Sequence, residues 1–190
     1  ETALSTLEDP TGRELASFVA LSAVEDAPPR AAPAVERALR PYVTDRFGTL
    51  GGFADVLEAV ARAQPGTGLA LALGHDVEAA ARDVWRTHGQ RAHTVLRTAD
   101  TGRYEGLYVI RIENAAPAVL GTVARLAFQY RSPEPIALAV TEGAAATVSE
   151  TPIEAPLSET AAALDGRSSA RDGAGTAVFE GTADDFTAAF

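Results

Sequence analysis

A glycine pair and two apolar runs mark residues 48–74, which read GTLGGFADVLEAVARAQPGTGLALALG. The spacing of the apolar residues predicts a helix over 53–63, and the Pro-Gly-Thr-Gly turn after it predicts a buried strand over 69–73. Arg62 then falls at a helix C-terminus beside glycines, which allow another chain to approach the backbone closely. This position suits a contact to a phosphate, although an arginine there also stabilises the negative end of its own helix.

Outward from this stretch, helices alternate with short apolar strands. This pattern predicts an α/β fold, a mixed sheet flanked by helices and preceded by a helical arm. Three of the strands, over 69–73, 106–112 and 136–140, are expected to lie adjacent in one sheet. The other expected elements are a helix from an Asp76 cap to about Thr98, a helix over 119–130, a strand over 145–149, a short helix over 156–164, a loop over 165–175, a strand over 177–180 and a closing helix over 183–190.

Residues 1–47 differ from the rest of the chain and are interpreted as a helical arm or the tail of a preceding domain. Thr11 with Glu14 three residues later forms a capping-box pattern, which predicts the start of a helix. A proline-rich linker ends that helix, and a second short helix is expected over 34–39. The α/β domain is then expected over 48–190.

Composition restricts the function classes. The 190 residues carry a formal charge of −10, every basic residue except histidine is arginine, and cysteine and methionine are absent. Disulfides and thiolate metal sites are therefore excluded, and no apolar run is long enough to predict a membrane span. The acidic, lysine-free composition suggests a halophile, in which net negative charge argues only weakly against nucleic-acid binding. We expect a cytoplasmic protein and, since Glu1 is not methionine, a piece of a longer chain.

Candidate catalytic residues are few. The three histidines are His75, His88 and His93, and the five-residue spacing of the last two does not place two ligands on one helix face. No nucleophile elbow, P-loop or dinucleotide-binding fingerprint is present in the sequence. The residues alone therefore predict neither a catalytic centre nor a metal site in this chain.

Three blocks from residue 51 onwards resemble, in order and spacing, the C-terminal half of the archaeal RecJ-like proteins of the DHH phosphoesterase superfamily. The first block, LEAVAR at 57–62 followed by GTGLALALG at 66–74, is similar to that family's Leu-Asn-Ala-Cys/Ala-Gly-Arg helix and glycine-flanked strand. The second, LGTVARL at 120–126, resembles its Ile-Gly-Thr-Val-Ala helix start. The third, RSSARDGAG at 167–175, stands where that family has its Gly-Gly-Gly-His loop.

The resemblance implies that catalysis and nucleic-acid binding belong to separate halves of the protein. In that family the N-terminal half carries the Asp-His-His motif and binds Mn²⁺ or Mg²⁺ for phosphodiester hydrolysis, and the C-terminal half grips the nucleic acid. This chain lacks the Asp-His-His motif, so the resemblance implies a domain that binds single-stranded DNA or RNA without cleaving it. The implied phosphate-binding residues are Arg62, Gly121 and Thr122 at a helix N-terminus, Arg125, and Arg167, Arg171, Gly173 and Gly175 in the loop.

The chain also departs from the family pattern. Ala170 stands at the position of the loop histidine, and Glu58 replaces an asparagine with a carboxylate that repels phosphate. Three functions therefore stay open: a nucleic-acid-binding module, the substrate-binding half of an active metal-dependent exonuclease or oligonucleotide phosphodiesterase, and a degenerate scaffold for replication proteins such as the GINS complex. A DHH domain of the same protein is a further expected partner.

Overall fold

The computed structural model describes residues 9–190, and its centre is a six-stranded mixed sheet with the strand order β1-β2-β3-β4-β6-β5. Its strands are β1 (Asp100–Tyr104), β2 (Leu107–Arg111), β3 (Ile136–Thr141), β4 (Ala144–Ser149), β5 (Arg167–Arg171) and β6 (Ala174–Val178). Its helices are α1 (Asp9–Val24), α2 (Ala32–Leu39), α3 (Leu50–Ala63), α4 (Pro65–Ala72), α5 (Glu78–Thr98), α6 (Pro117–Tyr130), α7 (Glu154–Ala163) and α8 (Ala183–Ala189). The α/β class and the mixed sheet are as the sequence predicts.

One parallel pair determines the position of the central helix. β2 and β3 run parallel, with Ile110 opposite Ala139, and every other pair in the sheet is antiparallel. Parallel neighbours require a crossover connection. α6 is that crossover, and it packs over β3 and β4 on one face of the sheet.

Two apolar layers enclose the sheet. On the first face, α5 and α6 bury small side chains of β3 and β4, among them Ala139 and Ala146. On the second face, α7 and α8 cover Leu138, Val140 and Ala177. Since successive strand residues point to opposite faces, the even positions of β4 belong to the α6 face and the odd positions to the α7 face.

Helices α3, α4 and α5 form a smaller cluster beside this sandwich. Val56, Val60, Leu71 and Ala81 are its buried centre. α3 also contacts α6, so the C-terminal end of α3 approaches the middle of that helix.

The N-terminal arm is held to the sheet through Arg30, in a single 3₁₀ turn before α2. Its Nη2 donates to the Pro133 carbonyl at 2.7 Å, and its Nη1 lies 3.3 Å from Glu150 Oε1. The guanidinium also lies 4.1 Å from the ring centroid of Phe128 on α6.

Several sequence predictions are wrong in detail. Residues 69–73 are not a strand, because Leu69 to Ala72 belong to α4; the expected three-strand neighbourhood therefore reduces to the β2–β3 pair. Thr11 already lies within helix α1, so it is not the cap of that helix, and α5 begins after Val77, so Asp76 is not its cap either. The expected loop at 165–175 is mostly the β5–β6 hairpin, and β1 was not predicted at all.

Candidate functional site

A cavity of about 230 Å³ lies between the end of α3, the middle of α6 and the outer strands of the sheet. Four of the residues singled out from the sequence line it, namely Arg62, Gly121, Arg171 and Gly175. The remaining lining comes from β4, β5 and β6. The site therefore combines one helical wall with a floor made of strand residues.

Arg62 and Gly121 form the helical wall as one unit. Arg62 lies in the last turn of α3, as predicted, and its side chain is 33% exposed. A Cβ atom at position 121 would overlap the Arg62 guanidinium, so the absence of a side chain there makes room for the arginine. Gly121 thus sets the position of a cation that faces the cavity.

Glu58 links two arginines behind this wall. Arg62 Nε donates to Glu58 Oε1 at 3.2 Å, and Arg125 Nη2 lies 3.1 Å from Glu58 Oε2. The Glu58 carboxylate, expected from the sequence to repel phosphate, therefore holds both guanidinium groups. Two arginines thus share one glutamate on the helical wall, and Asp55 is a further acidic group close enough to Arg125 to interact with it.

Gly121 and Thr122 do not lie at a helix N-terminus, which corrects the position that the resemblance implied for them. α6 begins at Pro117, so both residues lie beyond the first four N–H groups that lack partners within a helix. The Thr122 hydroxyl lies 2.9 Å from Nε2 of His88 on α5, and both side chains are buried. Thr122 therefore joins α5 to α6.

Desolvation shifts the pKa of two ionisable groups around this wall, the buried His88 and the more exposed Asp55. Desolvation, with Arg62 as the next cause, lowers the pKa of His88 below its ordinary value of 6.5. Desolvation raises the pKa of the Asp55 carboxyl, and the Arg125 guanidinium opposes that shift. A neutral His88 keeps a further positive charge away from the arginines, and its contact with Thr122 is retained.

The floor of the cavity is the β5–β6 hairpin. Its two-residue turn is Asp172-Gly173, both with positive φ (53° and 75°), which is the conformation of a type I′ hairpin turn. The Gly173 carbonyl accepts from the Ser149 N–H at 2.6 Å, and a Cβ on Gly173 would overlap the Ser149 carbonyl. A Cβ on Gly175 would overlap Leu157 on the far face of the sheet. Both glycines therefore serve close packing.

The arginines predicted to converge divide into two groups. Arg62 and Arg125 share Glu58, and Arg171 lines the same cavity as Arg62. Arg167 lies four residues before Arg171 on β5, about 13 Å away at the rise of an extended strand, and does not line the cavity. Sequence reasoning missed Ser169 and Thr176, which lie on the floor between them. The Asp172-Gly173 pair, which favours a two-residue hairpin turn, was the signal for this hairpin.

The histidines do not gather into a site. His88 is buried, whereas His75 and His93 are exposed. Within residues 9–190, no group of three or more histidine or acidic side chains is placed to hold a metal ion. Nor does any helix in that range have the length and apolar character needed to cross a bilayer.

The chain is similar to a family model, to a protein of a halophilic archaeon and to a solved structure. Residues 99–190 match the family described as "Uncharacterized protein rrnAC1427, C-terminal domain". Protein rrnAC1427 of Haloarcula marismortui, itself uncharacterised, is 56% identical over 116 residues, covering 60% of this chain and 31% of that protein. RecJ from Thermus thermophilus, whose crystal structure contains Mn²⁺, superposes with a TM-score of 0.58 at 19% identity, covering 72% of this chain and 22% of RecJ.

These matches show the fold of the chain and the share of each matched protein that it spans. The chain spans about a third of the Haloarcula relative and less than a quarter of RecJ. The likeness to RecJ extends to the fold of most of this chain, while the close sequence relative is a Haloarcula protein without an assigned activity. The chain is thus similar to the C-terminal domain of an uncharacterised protein, with a RecJ-like fold.

Proposed function

We propose that residues 48–190 bind single-stranded nucleic acid through its phosphates, as the non-catalytic half of a RecJ-like protein of the DHH phosphoesterase superfamily. The observation that supports this most is the convergence of Arg62 and Arg171 on one cavity from elements distant in sequence. Planar guanidinium groups bind phosphate oxygens in a bidentate manner. In this proposal Mn²⁺ or Mg²⁺ belongs to a catalytic half outside this chain.

The charges support binding of an anion at this place despite the overall charge of −10. Arg62 shares the Glu58 carboxylate with Arg125, so that one carboxylate does not neutralise both guanidinium groups. The Asp172 carboxylate, which lies 3.1 Å from Arg171 Nε, is 86% exposed and weakly coupled to it for that reason. An incoming phosphate can displace Asp172 at small cost in free energy.

A second candidate function is a scaffold for replication proteins such as GINS. The observation that favours it is Glu58, because a carboxylate that already satisfies two arginines lowers their attraction for phosphate. The scaffold function does not depend on an anion bound to these arginines. The two functions differ in whether the chain binds a free oligonucleotide.

The test is fluorescence anisotropy with labelled single-stranded DNA and RNA oligomers of several sequences. The full chain should bind all of them with similar affinity, more weakly as salt rises, because phosphate contacts release counterions. Arg62→Ala should weaken binding by about 1–3 kcal/mol for every sequence, the size of a charge-assisted hydrogen bond. Circular dichroism at each salt concentration verifies that the protein is folded.

Arg103→Ala is the matched control. Arg103 lies on β1 at the opposite edge of the sheet and is paired with a glutamate, Glu134, at 3.6 Å. Its replacement removes the same charge and should leave binding unchanged. Equal binding by wild type and Arg62→Ala, or no binding by either, rules out the nucleic-acid function and favours the scaffold.

A further inference from the structure

One side of the β5–β6 hairpin is open to solvent and carries a row of polar residues. Arg167, Ser169 and Arg171 alternate along β5, and all three are exposed. Through β6 they pair across to Ala144, Ala146 and Val148 of β4, the positions that face α6. The row therefore lies on the same face of the sheet as α6. It begins in the cavity with Arg171 and Ser169 and leaves it towards Arg167.

The helices leave this row uncovered. α6 packs on β3 and β4, whereas α7 packs against β5 and β6 from the opposite face, where Ala177 is buried and Ala170 is half-buried. The β6 residues beside the row, Ala174 and Thr176, are exposed, and Val178 is 43% exposed. The open face is thus a shallow, flat strip bordered by an arginine at each end.

We infer that a single strand leaves the Arg62 cavity along β5 and that Arg171, Ser169 and Arg167 contact its successive phosphates. This inference rests on the proposed function. Alternate residues of an extended strand are about 6.6 Å apart. Successive phosphates of an extended nucleic-acid strand have a similar spacing. A hydroxyl between two guanidinium groups matches a row of oxygen acceptors, since all three side chains donate hydrogen bonds.

The side chains of the strip also indicate whether the bases of the strand are recognised. Beyond the row, the strip carries the side chains of Val148, Ala174, Thr176 and Val178. Among the residues that the structure describes, no aromatic side chain faces the cavity or the strip. Base stacking on aromatic rings is the usual source of sequence-tolerant affinity in single-strand binders. Binding here depends instead on the phosphates, so the bases are not required.

The experiment compares an oligothymidylate octamer with an abasic octamer of the same phosphate count, using the full chain. Wild type should bind both within about twofold, because the contacts are to phosphate. Arg167→Ala should weaken both by about tenfold, the equivalent of 1.4 kcal/mol. The slope of log affinity against log salt should become shallower by about 0.7, as expected for one lost phosphate contact to a single strand.

Two further variants make the outcome decisive. Arg167→Lys keeps the charge and should preserve the salt slope, while Arg103→Ala should match wild type. If Arg62→Ala weakens binding but Arg167→Ala does not, the strand does not follow β5 and the proposed function still stands. If the abasic octamer binds far more weakly than the oligothymidylate, the bases are recognised, and both the phosphate row on β5 and binding through the phosphates are wrong. If wild type binds neither octamer, both the path and the proposed function are wrong.

Discussion

At the scale of single residues, Gly121 is a position where we expect a substitution to weaken binding without destabilising the fold. Glycine inside a helix is less stable than alanine by about 0.5–1 kcal/mol. A Cβ at this position meets only the far end of a flexible side chain, the Arg62 guanidinium. Gly121→Ala should therefore leave the free energy of unfolding unchanged or higher, measured by urea denaturation, and should weaken oligonucleotide binding by displacing Arg62. Unchanged binding would show that the position of Arg62 is not important.

His88 gives the molecule an acid-sensitive contact. Its pKa is lowered in the folded state, so the unfolded chain binds a proton more readily. The stability that neutral His88 contributes is fully present above about pH 6.5 and is lost as the pH falls through the folded-state pKa. His88→Gln should flatten the fall in stability between about pH 7 and pH 5.5. His93→Gln, an exposed control on the same helix, should leave that fall as steep as in wild type.

Arg62 also shows how much of the candidate site can be predicted from the sequence. Arg62 was predicted at the end of a helix because the apolar spacing before it and the Pro-Gly turn after it are local signals. Its contact with Gly121 and the sharing of Glu58 with Arg125 link α3 to α6. Pairings between residues that distant depend on the tertiary fold, which local patterns do not encode.

At the scale of elements, residues 69–73 illustrate an ambiguous pattern. The alternation Leu-Ala-Leu-Ala-Leu is typical of a strand, but leucine and alanine are also strong helix formers. Pro65 at the first helical position favours the helix that is observed, and only Leu71 of this run is fully buried. A five-residue apolar run without β-branched residues is thus weak evidence for a strand.

The testable prediction at the scale of elements concerns the turn of the β5–β6 hairpin. Gly173→Ala forces an alanine into positive φ and also against the Ser149 carbonyl. Gly106→Ala at the β1–β2 turn has a similar φ of 82° but open space around the added methyl. We expect the Gly106 variant to lose about 1 kcal/mol of unfolding free energy and the Gly173 variant clearly more. Equal losses in urea denaturation would show that the contact with Ser149 relaxes freely.

At the scale of the whole molecule, helix–strand alternation was sufficient for the α/β class and for the β2, α6, β3 sequence of elements. The edge strands β1 and β5 escaped prediction because their exposed, polar residues lack an apolar pattern. The complete sheet order follows from pairing across the chain, as in β4 with β6. Loops and polar edges are where pattern-based prediction is weakest.

The full chain on its own should not hydrolyse phosphodiesters. Residues 9–190 bring together no carboxylate–histidine cluster that would activate water through a metal ion. Incubation of the purified chain with labelled single-stranded DNA and RNA and Mn²⁺ should leave both intact. Cleavage that copurifies with the chain and disappears in His75→Ala would contradict this expectation.

The cavity has a consequence for how the molecule folds. Its helical wall at Arg62 and its floor at Arg171 are separated by more than a hundred residues, whereas the hairpin that forms the floor closes through a two-residue turn. Local contacts form early and distant ones late, because closing a long loop costs more entropy. The hairpin can therefore exist before any ligand site does. Recovery of oligonucleotide binding during refolding should then lag behind recovery of secondary structure and mark the final docking of α3 onto α6.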